Sequence, residues 1–379
     1  MKPNLFNYAT GELSQDAMLC WMFDWANTDH SVMRPFAMSI LKFIFMKHQY
    51  KFDDVNDVIK IEIKKQHKNI DVLILVHFPG RILPIIIEDK TNSLNHSNQL
   101  QTYMDAIQEE CETNKSMESP LGVYYKTGYL YSKERNEANE NGYIVMGKPE
   151  IASLIEPYSG RFQCDILEDY YQYIVELIER EKSLLSILEE NHMNRMNDLL
   201  KTREGQWMFL ENIFGERGSK NQYNGTNPNG SPWTQYKIMP GGQFDELPDA
   251  LFYRLDRRSN GYYLAMRQYL KFSTGTKDYS EKVQLKKVRL KILKECFSRA
   301  LRTLTEEHGE VLEQGNESNR GTFESEIGVF FIGRFNTFAN LIEWIPRFNY
   351  FFIKEVEERF DIRLWEELSM TEDTAEEHY

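Results

Sequence analysis

The sequence predicts an α/β fold in its first half, followed by a second domain of α+β type. Two runs rich in β-branched residues, 70–76 and 81–90, are joined by the turn signal Pro79-Gly80, which is typical of a β-hairpin. A helical pattern precedes this hairpin, and a polar helix follows it. Because 379 residues are many for one domain, we expect a first domain over 1–190 and a second over 191–379.

The other elements follow from hydrophobic periodicity and turn signals. Around the hairpin, we expect helices over 10–27, 33–50 and 93–110 and strands over 58–66, 122–126 and 142–146. Further along the chain, we expect helices over 166–188, 191–214, 281–304 and 338–360, strands over 233–239, 250–256, 261–272 and 327–335, and a long loop over 215–232.

Two acidic residues and a lysine lie at the ends of the predicted hairpin strands. Residues i and i+2 of a strand share a face, so Glu88 and Lys90 project together while Asp89 turns away. In a short-turn hairpin, Asp71 lies opposite the end of the second strand, beside Glu88. Two carboxylates and a lysine can hold a hard divalent cation and hydrolyse a phosphodiester. The alternative is that these acids are ordinary strand-end charges paired with Lys90.

The order Asp71, then Glu88-x-Lys90, resembles the signature of the PD-(D/E)XK nuclease superfamily, with Ile70 where the motif has proline. The resemblance covers roughly the first 160 residues. It implies a restriction-endonuclease-like core, in which a helix, a three-stranded meander, a helix and further strands follow one another. The elements expected from periodicity have this order. The resemblance also implies a metal-dependent phosphodiesterase that uses Mg²⁺ or Mn²⁺.

Two further motifs extend the resemblance. Gln99-Leu100-Gln101-Thr102-Tyr103 is similar to the QxxxY element of the RecB-like branch, and Glu12 resembles the first-helix glutamate of the superfamily. By this resemblance, Gln99 and Tyr103 contact nucleic acid or brace the site. The implied metal ligands are Asp71, Glu88, Glu12 and the backbone carbonyl of Asp89, and the implied catalytic lysine is Lys90.

Simpler explanations exist for several of these residues. A glutamine and a tyrosine one helical turn apart are commonplace. Glu12 and Asp16 can simply complement the dipole at the amino terminus of a helix. A second ExK sequence, Glu62-Ile63-Lys64, has no strand-borne aspartate before it and no polar helix after it. We therefore discount this second copy.

Composition sets limits on location and partners. The formal net charge of −13 argues against a uniformly basic surface but not against a local basic groove. The four cysteines are far apart and show no CxxC spacing, so neither a zinc site nor a disulfide framework is indicated. No apolar run approaches the roughly 18 residues of a membrane span, and no signal peptide is evident. We expect a soluble, cytoplasmic protein with no membrane partner.

Three groups of cations are candidates for binding phosphate. The run 64–68 lies at the turn that precedes the Asp71 strand. The second group interleaves tyrosines and arginines on the predicted strands, namely Tyr253, Tyr262, Tyr263 and Tyr269 with Arg254, Arg257, Arg258 and Arg267. The third group is the set of lysines and arginines of helix 281–304. In each case a solvated or half-buried structural role is the alternative.

The resulting hypothesis is a metal-dependent nuclease that acts on DNA, with the second domain binding substrate, sensing a signal or mediating assembly. By resemblance only, a role in bacterial anti-phage defence, restriction or repair is expected. The alternatives are a ribonuclease and a non-catalytic module that binds nucleic acid or protein. Assembly into a homo-oligomer is left open.

Overall fold

The computed structural model describes residues 3–9, 11–51, 57–91, 98–161, 164–191, 193–215, 222–227, 230–239, 249–270, 279–308 and 324–359. Its backbone contacts divide the chain into two compact units, Met1–Ser183 and Leu184–Tyr379. Among the described residues, no helix combines the length and apolar character needed to cross a membrane.

Unit 1 is built on a five-stranded mixed sheet. Its strands are β1 (Lys60–His67), β2 (Ile70–Phe78), β3 (Arg81–Lys90), β4 (Leu121–Lys126) and β5 (Tyr143–Gly147), in the spatial order 1-2-3-4-5. The first three strands form an antiparallel meander, whereas β4 and β5 run parallel to β3. The predicted α/β fold class, with its hairpin and returning strands, is therefore confirmed.

The helices of unit 1 cover both faces of this sheet. They are α1 (Glu12–Asp24), α2 (Met33–Lys47), α3 (Gln99–Thr113), α4 (Ser132–Glu140), α5 (Lys148–Ile155) and α6 (Asp165–Glu189), the last of which runs through the division between the units. One core contains residues of α1, α2, α5 and α6, and the other contains residues of α3 and α4. This double burial explains why β2 and β3 are almost continuously apolar.

Unit 2 contains a five-stranded antiparallel sheet. Its strands, in the spatial order 10-9-8-7-6, are β6 (Gln222–Thr226), β7 (Pro232–Met239), β8 (Asp249–Arg258), β9 (Gly261–Leu270) and β10 (Glu324–Phe331). Its further helices are α7 (Met196–Leu200), α8 (Arg203–Phe214), α9 (Tyr279–His308) and α10 (Phe338–Arg359). The second sheet agrees with the predicted fold class.

Several segments differ from their predictions. The helix predicted over 191–214 is divided into a 3-10 helix at Met193–Arg195, α7 and α8, and the strand predicted over 327–335 ends at Phe331. The predicted start of helix 93–110 lies outside the described residues. The loop expected over 215–232 contains β6, which pairs with β7, so the prediction was wrong over 222–226. Gly225 lets the indole of Trp233 lie against the β6 backbone, since an added Cβ would come within 2.4 Å of that ring. The polar segment 132–141, for which no element was predicted, forms α4.

The core position of Ile86 predicts a large loss of stability on truncation. Ile86 is fully buried in β3, whereas Ile59 is exposed. We expect Ile86→Ala to lower the free energy of unfolding by about 2–5 kcal/mol, because it removes buried methyl groups and leaves a cavity. Ile59→Ala, the matched control, should change it by less than about 0.5 kcal/mol. Denaturant unfolding followed by circular dichroism measures both, and equal losses would contradict the described core.

Candidate active site

The candidate site lies where β2 begins and β3 ends. The antiparallel register pairs Val72 with Ile87, which brings Asp71 opposite Glu88. Asp71 Oδ2 accepts a hydrogen bond of 3.1 Å from the backbone N–H of Asp89. The hairpin therefore places these carboxylates at one end of the sheet, as the strand pattern predicted.

Glu88 is a buried acid with incomplete compensation. Its side chain is fully buried, and the ammonium group of Lys90 contacts its Oε1. Neither carboxylate oxygen receives a well-formed hydrogen bond from the residues that the structure describes. Burial raises the pKa of Glu88 to about 7, while Lys90 opposes this rise and Asp71 adds to it. Ionised Glu88 is therefore costly, and an additional cation would stabilise it.

Lys90 is the cation of the site. Burial lowers its pKa, but the negative charges of Glu88, Asp71 and Glu12 more than offset this effect, so the net shift of the Lys90 pKa is upward. Lys90 is therefore protonated at neutral pH. Glu12 reaches the same end of β3 from the first turn of α1, where its Oε1 accepts a hydrogen bond of 3.3 Å from the backbone N–H of Thr91.

The side chain of Asp89 contacts α1, consistent with the prediction that it turns away from Glu88. The amide of Gln15 donates a hydrogen bond to Asp89 Oδ1. Burial raises the pKa of Asp89 well above its ordinary value, and it also raises the pKa of Asp16. Asp16 Oδ1 and Asp89 Oδ2 have no hydrogen-bond donor among the described residues. A proton shared by the two carboxyl groups would supply one.

Asp16 differs from its prediction as a charge at a helix terminus, because its side chain is buried. The amide of Gln66 lies 3.4 Å from Asp16 Oδ2 and 3.4 Å from Asp71 Oδ1. Asp71 also contributes to the raised pKa of Asp16, after burial itself. The Asp16 side chain therefore lies near Asp71, one of the predicted metal ligands. A four-residue spacing from Glu12 was the available signal, but it did not distinguish a buried acid from a solvated one.

The predicted QxxxY pair is bonded internally. Gln99 Nε2 donates a hydrogen bond of 2.8 Å to the hydroxyl of Tyr103, whose ring belongs to the core between the sheet and α3. Burial raises the pKa of Tyr103, with further contributions from Glu88 and Asp71, so the tyrosine lies near the site. A direct role of Gln99 and Tyr103 in nucleic-acid contact stays a prediction.

Sequence reasoning missed a second layer of polar residues behind Lys90. The parallel register pairs Lys90 with Lys126 on β4, and Lys126 Nζ donates a hydrogen bond of 2.8 Å to Glu134 of α4. The hydroxyl of Tyr124 donates to the same Glu134 oxygen at 2.6 Å. Burial lowers the pKa of Lys126, although Glu134 opposes this. A lysine at the end of predicted strand 122–126 was a signal, but its partner in the polar segment was not recognisable.

Gln15 connects this layer with α1. Its side-chain oxygen accepts a hydrogen bond from the hydroxyl of Thr127, while its amide lies 3.5 Å from the carbonyl of Lys90. The backbone N–H of Thr127 donates to the same Lys90 carbonyl at 3.3 Å. Gln15 therefore ties the first helix to the ends of β3 and β4. No sequence motif marked it.

In the basic run 64–68, the structural alternative holds for Lys64, His67 and Lys68. Lys68 Nζ lies 2.8 Å from Glu110 on α3, and the imidazole of His67 lies 3.0 Å from the same carboxylate. Lys64 lies 3.6 Å from Glu62. These pairings join the β1–β2 turn to α3 and neutralise much of the local charge.

The interleaved arginines of unit 2 are also largely paired. Arg254 lies 3.2 Å from Glu324, Arg258 lies 2.8 Å from Glu326, and Arg267 lies 2.7 Å from Glu324. The alternative of an ordinary, internally bonded sheet therefore holds for these three arginines. Their neighbour Tyr253 is completely buried and unable to stack with a base.

The basic helix α9 does not present all its cations to solvent. Arg289 is fully buried, and Lys286 is buried with its Nζ 3.2 Å from the carbonyl of Glu324. Lys287, Lys291 and Arg299 are exposed. Cys296, Phe297, Ala300 and Leu304 are buried on this helix, but its sequence does not reveal which cations share the buried face.

The residues of the candidate site fit a divalent cation chemically, although they are not arranged as a complete ligand set. Among the described residues, no group of three or more histidine, cysteine, aspartate or glutamate side chains is close enough to hold a metal. The unsatisfied oxygens of Glu88, with Asp71 and Glu12 near the same end of β3, are nevertheless hard oxygen donors whose negative charge calls for a cation.

Unit 1 thus combines a mixed α/β sheet with a buried acid and lysine at the end of its central strand, the arrangement expected of a nuclease-like domain. A family model described as the PD-(D/E)XK nuclease superfamily matches residues 3–191. Residues 3–191 are therefore similar in sequence to this superfamily. Neither the curated proteins nor the solved structures that were searched gave a match.

The raised pKa of Glu88 predicts a specific pH dependence of stability. Folded Glu88 keeps its proton up to about pH 7, whereas a glutamate with the ordinary pKa of 4.5 loses it earlier. Its stabilising contribution is complete below pH 4.5 and is lost as the pH rises through 7. Relative to the parent, Glu88→Gln should therefore gain on the order of 1–3 kcal/mol of unfolding free energy between these limits.

Chemical denaturation in chelator, at a series of pH values, measures this difference. Glu62→Gln is the control, because Glu62 belongs to the discounted ExK sequence and is substantially exposed. A pH profile of Glu88→Gln that runs parallel to that of the parent would contradict the buried, uncompensated carboxylate.

Proposed function

We propose that this protein is a metal-dependent nuclease that hydrolyses phosphodiester bonds of DNA. The observation that carries the proposal is the group formed by Asp71, Glu88 and Lys90 at one sheet end, within a region that is similar in sequence to a nuclease superfamily. A buried acid with unsatisfied oxygens beside a protonated lysine is expensive for a purely structural role. The cost is accounted for if the group works on a bound cation and a phosphate.

The metal in this proposal is Mg²⁺ or Mn²⁺, held by Asp71, Glu88 and Glu12 together with the backbone carbonyl of Asp89. When bound, such an ion supplies charge for the phosphate oxygens and lowers the pKa of a coordinated water. Glu88 is suited to exchange Lys90 for a metal ion as its neutralising partner. Its proton dissociates at about pH 7, and Lys90 is its main neutralising contact.

Lys90 has an electrostatic role in this mechanism. Its raised pKa keeps it positively charged at neutral pH, so it does not act as the base that deprotonates water. A fixed ammonium group instead orients the attacking water and stabilises negative charge that develops on the phosphate. Gln15 and Thr127 hold the Lys90 backbone in place through its carbonyl.

DNA rather than RNA, and a role in anti-phage defence, restriction or repair, are proposed from the superfamily resemblance. The rival function is a non-catalytic binding module. One observation favours this rival, namely that Lys90 contacts Glu88 and that the described residues contain no complete ligand set for a metal. Direct assays of cutting and of metal binding separate the two.

We expect Glu88→Gln and Lys90→Ala to lower Mg²⁺-dependent cutting at least about 100-fold, because each removes a charged group that acts on the reacting phosphate. The chain provides a matched control in its other ExK sequence, where Glu62→Gln and Lys64→Ala should keep parental activity. Linear, circular and single-stranded DNA and RNA are each incubated with Mg²⁺ or with chelator. Cutting by the Glu88 and Lys90 variants at the parental rate would exclude this site.

Metal binding has a separate readout. We expect Mg²⁺ or Mn²⁺ to raise the melting temperature of the parent at neutral pH, since a ligand of the folded state stabilises it by about 2.7 kcal/mol at 100 times its Kd. The shift should be absent in Asp71→Asn and Glu88→Gln but present in Glu62→Gln. An equal shift in all variants would place the bound cation elsewhere.

A further inference from the structure

Unit 2 contains an open cleft that the nuclease site does not use. Its volume is about 1060 Å³, which is large enough for a bound ligand. It lies at the end of the sheet where the β6–β7 connection and the β8–β9 turn are found, and the α7–α8 turn contributes Lys201 to its lining. Four of its lining side chains are cationic, namely Lys201, Arg254, Arg257 and Arg258, against one acid, Asp256.

Arg257 is the available cation of this cleft. It is exposed, and within the part of the chain that the structure describes its side chain has no hydrogen bond, ion pair or ring contact. Among the described residues, Lys201 pairs with Asp198 at 2.9 Å, and both side chains are more than half exposed. Such surface pairs contribute little, so an incoming anion can replace the aspartate.

Arg257 and Lys201 converge on the same wall although they come from different elements. Burial raises the pKa of Tyr262, a lining residue, and the positive charges of Arg257 and Lys201 oppose that rise. The strand register pairs Arg257 with Tyr262, and Lys201 lines the same cleft. Two cations near one wall suit a ligand that carries more than one negative charge.

Arg254 and Arg258 also line the cleft, from the face of β8 opposite to Arg257. Arg254 donates to Glu324 at 3.2 Å and lies over the Trp233 ring at 5.2 Å, while Arg258 donates to Glu326 at 2.8 Å. Arg254 also lies 3.7 Å from Asp256 and 3.5 Å from the side-chain oxygen of Asn227, so most of its charge is compensated within the protein. The carboxylates thus fix the arginines in position at the cleft.

The lining residues favour a nucleic-acid strand over a simple anion. Trp233 and Tyr262 add aromatic surface beside the cations, and Asn227, Ser231 and Ser259 add polar groups. Proteins that bind single strands combine cations along the backbone with aromatic contacts to bases. This cationic lining also stands out on a chain of net charge −13.

We propose that this cleft of unit 2 binds the phosphate backbone of a single nucleic-acid strand, with Arg257 and Lys201 as the contacting cations. The proposal deepens the proposed nuclease function, on which its biological meaning rests, by naming a substrate-binding surface outside the cutting site. The binding itself requires neither metal nor cleavage.

The test measures binding of the full chain to a fluorescent single-stranded oligonucleotide in chelator, by anisotropy at several salt concentrations. We expect Arg257→Glu and Lys201→Glu each to weaken binding roughly tenfold or more, since each removes a charged contact with phosphate. Each should also lower the slope of log affinity against log salt by about one unit. Arg257 and Lys201 are surface residues, and melting curves establish that the variants remain folded.

Arg347→Glu is the matched control, because Arg347 is an exposed arginine of α10 that pairs with Glu343 and does not line the cleft. Parental affinity in Arg347→Glu, with loss in the two cleft variants, supports the proposal. Equal loss in all three variants, parental binding by Arg257→Glu, or no binding by the parent would overturn it. If Glu88→Gln abolishes cutting but Arg257→Glu binds the oligonucleotide with parental affinity, this inference alone is overturned. Strand binding that needs Arg257 in a protein that never cuts would overturn the nuclease proposal alone.

Discussion

The candidate site depends on carboxylates that are removed from water at the end of β3. The sheet carries helices on both faces, so the apolar strands β2 and β3 continue into a low-dielectric environment up to their last residues. In that environment an ionised glutamate is unstable without nearby positive charge, which is why the pKa of Glu88 rises to about 7. The same burial strengthens every charge interaction in the site, including that of Lys90.

Two buried lysines side by side show how local charge divides their roles. Lys90 and Lys126 are register partners on β3 and β4, and each contacts a glutamate. The pKa of Lys90 is shifted upward because Glu88, Asp71 and Glu12 surround it, whereas burial dominates at Lys126 and lowers its pKa. Lys126 is fully buried and suited to holding the end of β4 through Glu134. Lys90 retains its positive charge at neutral pH, as the proposed phosphate chemistry requires.

Pairing in space, rather than composition, decides where cations are available. Lys68 of the basic run before Asp71 pairs with Glu110. Three arginines of β8 and β9 pair with Glu324 and Glu326 on β10. The sequence showed these arginines interleaved with tyrosines on neighbouring strands, but their acidic partners lie far along the chain. Arg257, which is adjacent to the paired Arg258 in the sequence, lies on the opposite face of β8 and is exposed. A count of charges along the sequence cannot separate these cases.

The sequence by itself determined the α/β class, the hairpin, and the placement of Asp71 opposite Glu88, because strand periodicity and a short turn are local properties of the chain. It also determined that Glu88 and Lys90 share a face, since alternate residues of a strand do so. Only the tertiary structure decided the surroundings of that group. The burial of Asp16 and the contacts of Gln15 and Glu134 arise when distant helices pack against the strand ends. Burial and long-range pairing set the pKa values of the site residues and decide which cations remain available to a ligand. Neither is encoded in any short stretch of residues.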